Sequence, residues 1–451
     1  ALKVGQLMKR LRDIHAATAW SDKDRRIEGV KANVDEFIGK VSKDADAASD
    51  LRDRVEASLG CYLVRSRWTE PFGKRGKNRR NHQTVQHKAP IAVTETDAFA
   101  ILALETAYRR VANCGERVHR ASYRETLCSS YAAVRKSLQR KDIEEESPLP
   151  PSLQGLAAFI PRNGESLKFQ TAMDFLVQSA REQHKVVVFC KRTATVERMR
   201  REIHAAMERE RSGCARAWRR VQDNLHRWWQ NRSMDNMTKS DCFAWLRFAV
   251  HLGIGVTGEN WKSVARSMQK HGLRAGGKGY SELLQHTWGP GRRVDWVAEL
   301  SGSTPDKHPR RLSMDERNER GRTKDEVRFA FNLPGPPYVL VCTSVAREGI
   351  DLHHWCHKVL QYDLEWNPAW MEQQVGRVDR INSLAQRRRI PVEVYYAHLP
   401  GTYEERIADE VKRRCEMLRL VLGAGEWLAD KPEDQKRIRE LDRYKLNFHP
   451  R

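Results

Sequence analysis

The sequence predicts an α/β fold, a parallel sheet flanked by helices, with a mainly helical region before it and a helical insertion within it. Three observations predict this. Short apolar, β-branched runs such as "KVVVFC" (185–190), "YVLVCTS" (338–344) and "PVEVYYAHL" (391–399) have the length and composition of strands buried on both faces. Between such runs the apolar positions change to helical spacing, as crossovers between parallel strands require. The 40% hydrophobic and 31% charged composition is that of a chain with packed cores, and 451 residues suffice for two or three domains.

Taken in order, residues 1–147 read mostly as helix; "DAFAILALETAYRRVA" (97–112) is rich in Ala and Leu at helical spacing. Within this region "VRSRWTEPFGKRGKNRRNHQ" (64–83) interleaves basic residues with Trp68 and Phe72, which suits either a solvated loop or a nucleic-acid contact. The acidic, proline-rich "EEESPLPPS" (144–152) reads as a linker and domain boundary. The α/β part then spans 148–206 and 294–425. Its helices include "SLKFQTAMDFLVQSAREQ" and "TVERMRREIHAAM", and its strands include "KVVVFC" and "KVLQYDLEW". Residues 207–293 form a helical, basic, tryptophan-rich insertion, in which Trp218, Trp228 and Trp229 read as a small core of its own rather than a stacking platform. Residues 426–451 remain as a C-terminal tail.

The charge is the strongest clue to partners. A net +22 and a pI near 9.8 exceed what folding needs and point to a polyanion, nucleic acid before anionic membrane. No apolar run approaches the roughly 20 residues of a membrane span, and the N-terminus lacks the apolar core of a signal peptide. Nine cysteines, an odd number without a C-x-x-C pair, suit reduced thiols in a cytoplasmic setting. "HHWCH" (353–357) packs four potential ligands too tightly for most metal geometries and reads as a loop entering a strand.

Three segments carry the chemistry. "ELSGSTP" (299–305) is a strand end opening into a turn at Gly302 and Ser303. "VLVCTSVAREGIDLH" (339–353) runs from a strand into Thr343 and Ser344, then to Gly349 and Asp351. Hydroxyls and backbone N–H groups at strand ends are natural phosphate contacts. Ahead of "EQQVGRVDRIN" (372–382), Asn367 is placed to cap a helix starting at Pro368. On a continuous helix Gln373, Arg377 and Arg380 would share one face, an amide and two guanidiniums suited to phosphate oxygens.

On these residues the sequence resembles the superfamily 2 helicases. "QQVGRVDRI" is similar to their motif VI, "TSVAREGIDL" to motif V, "VVVFCKRT" to motif IV, and "ELSGSTP" to the segment between IV and V. The spacing through "GTYEERI" (401–407) is most similar to the Swi/Snf-type branch and its bacterial RapA-like members. The resemblance covers about 167–423 without the insertion and, more faintly, "YLVRSRWTEPFG" (62–73). It implies a RecA-like C-terminal lobe of an ATP hydrolase that translocates on nucleic acid, DNA more than RNA, using ATP and Mg2+. Arg380 would be the arginine finger on the γ-phosphate with Arg377 beside it, and Gln373 would couple the lobes. Gly349, Asp351 and Gly376 would lie at the nucleotide, the aspartate at the ribose. Thr343, Ser344, Gly302, Ser303 and the Cys190, Lys191, Arg192 turn would hold the nucleic-acid backbone, although Cys190 stands where relatives often carry serine.

A phosphate-cradling loop and an acidic Mg2+ site belong to a first RecA-like lobe. "GLRAGGKG" (272–279) has glycine at the Mg2+-binding position and follows a helical segment; "VDEFI" (34–38) follows charged residues. Neither qualifies, so the chain reads as the second lobe with accessory regions, the first lobe lying on the same or another chain. Relatives of this kind act in bacterial DNA remodelling and anti-phage defence. The alternative is a non-catalytic nucleic-acid-binding module on a RecA-like scaffold.

Overall fold

The computed structural model describes residues 80–85, 93–111, 117–139, 151–209, 295–302, 304–305, 323–333, 335–343 and 350–422, with isolated positions at 36, 213, 215–216, 218–219 and 223. Ser303, Ser344, Gly349, Trp228, Trp229, "GLRAGGKG", nearly all of "VDEFI" and most of the insertion and the basic stretch lie outside them. The chain divides into two compact units: Ala1–Gln83 with Glu365–Glu372 and Arg406–Arg451, and Thr84–Leu364 with Gln373–Glu405.

Strand β1 (Arg80–Thr84) is the end of the basic stretch, so that end is strand rather than loop. Its last residue belongs to the second unit, and just beyond it the Val85 N–H donates to the Tyr396 carbonyl at 2.9 Å. The remaining strands are β2 (Lys185–Phe189), β3 (Val297–Leu300), β4 (Val339–Cys342), β5 (Cys356–Gln361) and β6 (Val392–Tyr396). They lie in the order β6-β5-β2-β4-β3, and every pair among them is parallel. This is the doubly covered parallel sheet that the all-apolar runs predict. Val186, Val187 and Val188 of the central strand are fully buried, as only a strand covered on both faces allows. "HHWCH" is a loop through Trp355 that enters β5 at Cys356.

Helices α1 (Glu95–Val111), α2 (Arg117–Leu127) and α3 (Tyr131–Gln139) precede the proline-rich stretch. The described end of that stretch, Pro151–Ala158, is a 3-10 helix, and it buries Leu153 and Leu156 with Ala100, Leu104 and Val134. Glu165 fixes the start of α3: its carboxylate accepts from the Tyr131 and Ala132 amides at 2.7 and 3.0 Å, where the helix presents free N–H groups. Helix α4 (Leu167–Arg181) starts where Ser166 Oγ accepts from the Phe169 amide. It buries the stripe Lys168, Ala172, Leu176 and Ala180. Helix α5 (Thr193–Arg209) follows β2, and α6 (Lys324–Phe331) opens with a Thr323–Glu326 capping box before β4. Helices α7 (Pro368–Val375), α8 (Leu384–Arg388) and α9 (Tyr403–Leu422) complete the order.

Trp218 departs from the expectation of a separate insertion core. It is 3% exposed within the sheet's own apolar cluster, and its indole N–H donates to Tyr338 Oη at 2.7 Å. Gly335 makes this possible. Its φ is +89°, and a Cβ there would lie 2.1 Å from the indole ring. A tryptophan that finds both a backbone recess and a polar partner is a core residue of the lobe.

His357 gives the lobe an acid sensitivity. Its ring meets that of His184 edge-on at 5.6 Å, with Lys358 and Arg388 nearby. Glu182 and Glu393 are the carboxylates on this edge, 3.6 Å from His184 and 3.5 Å from Lys358. Burial first, then Lys358, His184 and Arg388, pushes the His357 pKa from 6.5 down to about 3. A depressed histidine adds stability that is complete above the unfolded value and lost as pH falls toward the folded one. Urea unfolding should therefore weaken from pH 6.5 to 5 by up to ~1.4 kcal/mol per unit from this group, and His357→Gln should flatten that slope. An unchanged slope in the variant would remove His357 from the account.

Candidate functional site

Parallel strands bring their carboxyl ends to one edge of the sheet, and the turns beyond them form a row. The Cys190 N–H donates to the Cys342 carbonyl at 2.9 Å, and the Thr343 N–H to the Leu300 carbonyl at 3.0 Å. The turns after β2, β4 and β3 are thus neighbours, and Cys190, Thr343 and Gly302 come together although more than a hundred positions separate the first from the other two. Gly302 is exposed, whereas Thr343 is 7% exposed.

The row's basic turn is engaged within the chain. Lys191 Nζ donates to Glu125 Oε1 at 2.9 Å; Arg192 Nη2 donates to Ser122 Oγ at 3.0 Å and to the Ser122 carbonyl. The Lys191 amide donates to Asp363 Oδ2 at 2.7 Å. Cys190 corrects the sequence expectation for its side chain. Following a fully buried strand, its thiol turns inward against Met199 Sδ at 3.8 Å, and burial pushes its pKa well up. It presents no thiol to a ligand.

The second cluster lies around "EQQVGRVDRIN". The Ala369 amide donates to Asn367 Oδ1 at 3.1 Å, so Asn367 caps α7 as its sequence suggests. The continuous helix is not formed. It ends at Val375, and the amides of Arg377 and Val378 donate three residues back, to the carbonyls of Gln374 and Val375. The cause lies across the turn: the Leu352 N–H donates to the Arg377 carbonyl at 3.1 Å, an alignment a continuing helix would not allow. Gln373 is therefore left exposed on α7, away from any face shared with the arginines.

The turn brings Asp351, Gly376, Arg377 and Arg380 together, with different partners for the two guanidiniums. Arg380 Nε donates to the Gly376 carbonyl at 3.1 Å, and its Nη1 pairs with Asp351 Oδ1. Arg377 has no such anchor: its Nε is buried without a hydrogen-bond partner among the described residues. An anchored guanidinium beside one that meets no carboxylate among the described residues is a suitable donor set for the oxygens of a phosphate chain.

The arginine turn falls within a segment of the chain that is similar to helicase-type ATPase domains. Residues 313–382 match the helicase conserved C-terminal domain. The chain is 34% identical over 105 residues to an uncharacterized ATP-dependent helicase, YqhH, of Bacillus subtilis (strain 168), covering 23% of this chain and 17% of that protein. It is 36% identical over 74 residues to the RNA polymerase-associated protein RapA of Vibrio vulnificus (strain YJ016), covering 16% of this chain and 7% of RapA. The matched segments are thus a small part of these relatives. The crystal structure of the C-terminal part of the Fun30 ATPase domain aligns over 74% of this chain and 89% of that one, at 12% identity and a TM-score of 0.29. Superposition that loose assigns no fold; the strand order does.

Sequence reading missed the group that carries the row. Lys168 is 4% exposed and its Nζ donates to the Cys128 carbonyl at 2.6 Å and to Glu404 Oε1 at 3.2 Å, with Asp363 Oδ1 at 3.6 Å. Asp363 in turn holds the Lys191 amide and accepts from Ser129 Oγ at 3.0 Å. Burial pulls the Lys168 pKa down, but Glu404 and Asp363 outweigh it and hold the ammonium above the usual lysine value. The missed signal was a lysine on the stripe 168, 172, 176, 180 of a helix otherwise apolar there. Lys168→Met should strand two carboxylates in the interior and destabilise the lobe by about 3–5 kcal/mol. A urea midpoint within error of wild type would show that the cluster is hydrated instead.

Proposed function

We propose that this chain is the C-terminal half of an ATP-dependent DNA helicase or translocase. It supplies arginine fingers and nucleic-acid contacts to an ATPase site completed by an N-terminal RecA-like lobe. The observation that carries the reading is the pair of guanidiniums on one turn, Arg380 fixed by Asp351 and Gly376, and Arg377 with a buried Nε that has no hydrogen-bond partner among the described residues. Phosphoryl transfer spreads charge over the oxygens of the transferred group, and positioned cations stabilise it. ATP with Mg2+ fits this donor set at its phosphate end, and the acids and phosphate loop that hold the metal are the other lobe's part. Asp351, given to Arg380 here, acts first as an anchor for that arginine; Gly349 and Gly376 complete the nucleotide side.

In the row of strand-end turns, Thr343 and Gly302, with Ser344 and Ser303 beside them in sequence, are the proposed contacts to the DNA backbone. Lys191 and Arg192 are committed to Ser122 and Glu125 in this conformation. They join the contact only where α2 gives them up. The resemblance to RapA-like proteins offers bacterial DNA remodelling or anti-phage defence as the setting.

Two outcomes test the reading. With the first lobe present, Arg380→Ala or Arg377→Ala should lower ATP turnover about a thousandfold, roughly 4 kcal/mol of barrier, with DNA affinity nearly unchanged. Wild-type turnover in both variants would make this turn a structural one. The net charge of +22 should also give sequence-independent DNA binding. Its affinity should fall by about a thousandfold between 50 and 200 mM salt if ~6 phosphates are contacted. A flat salt dependence, measured by fluorescence anisotropy on duplex and single strands, would assign the basic surface to another partner.

A further inference from the structure

Asn332 lies just past α6, 4% exposed and outside every segment that carries the chemistry. Its side-chain amide is fully used. Nδ2 donates to the Asp351 carbonyl at 2.6 Å and to the Arg328 carbonyl at 3.0 Å, while Oδ1 accepts from the His354 amide at 3.3 Å. Two carbonyls require the NH2 and one N–H requires the oxygen, so these partners fix the amide's orientation. One side chain thus holds the backbone of 351–354 at both ends.

The opposite side of that segment is stitched to the arginine turn and to α8 beyond it. The Leu352 N–H donates to the Arg377 carbonyl at 3.1 Å, the Leu384 N–H to the His353 carbonyl at 2.9 Å, and Arg387 Nη2 to the His354 carbonyl at 2.6 Å. Residues 351–354 therefore act as a splint between α6 and the turn. The Asp351 carboxylate that pairs with Arg380 projects from the end of the splint that Asn332 holds.

We propose that Asn332 is a positioning residue for the Arg380 guanidinium, acting through Asp351; this rests on the reading of Arg380 as the group that meets the transferred phosphate. Without the amide, the Asp351 carbonyl loses its donor and the segment is free to shift, carrying the carboxylate and Arg380 with it. Displacement by about 1 Å costs a catalytic group on the order of a hundredfold. Only an amide of this length donates to one end of the splint while accepting from the other.

The test uses the full protein with its first lobe, measuring DNA-stimulated ATP turnover in Asn332→Ala, Asn332→Asp, Arg380→Ala and the Asn332→Ala/Arg380→Ala double variant. Asn332→Ala should lower kcat about 10- to 100-fold with KM for ATP nearly unchanged. Asn332→Asp should do the same although it keeps the shape and the acceptor, because a carboxylate cannot donate to the Asp351 carbonyl. On the Arg380→Ala background, Asn332→Ala should cost less than about twofold more, since both changes remove one effect. A purely structural asparagine would instead multiply its loss onto that of Arg380→Ala, and that result overturns the proposal. So does wild-type kcat in both Asn332 variants, or loss of native circular dichroism in both. If Arg380→Ala itself turns over normally, the arginine-finger reading has failed, not the role of Asn332 in holding the splint; the latter is then read from whether Asn332→Ala speeds amide exchange at Leu352 and His354. Unchanged exchange there would overturn it.

Discussion

Lys168 places an ammonium in the interior between Glu404 and Asp363, 3.2 and 3.6 Å away, and a buried ion persists only where its protons are placed and its charge is balanced. Satisfying it fixes four segments at once: α4, the turn between α2 and α3 at Cys128, the end of β5 at Asp363, and the start of α9 at Glu404. The charge is overbalanced, one cation against two carboxylates, and burial leaves the Glu404 carboxyl above its usual value even with Lys168 pulling it down. Asp363 disposes of the excess by accepting from Ser129 and from the Lys191 amide. Ser129 in turn meets Thr195 at 2.7 Å, and Tyr362 Oη donates to the Ser129 carbonyl at 3.0 Å. The helices before the proline-rich stretch are thereby fastened to the carboxyl edge of the sheet by polar groups with directional demands, which apolar packing alone does not impose.

That edge decides what the lobe can do. The parallel register sets the turns after β2, β4 and β3 side by side, and the Asp363 contact fixes the backbone of the β2 turn while α2 occupies its side chains. The arginine turn is located separately, by main-chain bonds from residues 352 and 384 and by the Asn332 amide. The backbone of both clusters is held by hydrogen bonds to buried or half-buried groups, which are costly to leave unmade and so hold geometry well.

Much of the fold was legible in the sequence because its signals were local. "KVVVFC" reads as a strand covered on both faces, and β2 is one. The arginine turn was not legible in this way. Val375 and Val378 are buried three apart, which imitates the inward stripe of a continuing helix. What stops the helix is the Leu352 amide, a partner distant in sequence that no periodicity encodes. Trp218 was misplaced for a similar reason: its recess is made by Gly335, more than a hundred positions away. Asp351, Gly376, Arg377 and Arg380 were singled out because the motifs they resemble set such types at fixed spacing, and the turn brings them together. Asn332 and Lys168 carry no such spacing, and their importance lies entirely in what they touch.

Net charge states what kind of partner is attracted, but the pairing of each cation states where it can be held. Arg135 and Arg198 both lean on Glu165, at 2.9 and 3.8 Å, and Lys191 on Glu125. These groups spend most of their field inside the lobe. Arg380 is intermediate: its carboxylate partner fixes the guanidinium in direction and offsets part of its charge. The buried Nε of Arg377 has no acceptor among the described residues, a cost the native fold sustains without any return in stability. A phosphate oxygen arriving at this turn would relieve that cost at Arg377 while finding Arg380 already oriented. The two arginines therefore differ in what holds them: Asp351 and the Gly376 carbonyl fix Arg380 in direction, whereas the buried Nε of Arg377 meets no acceptor among the described residues.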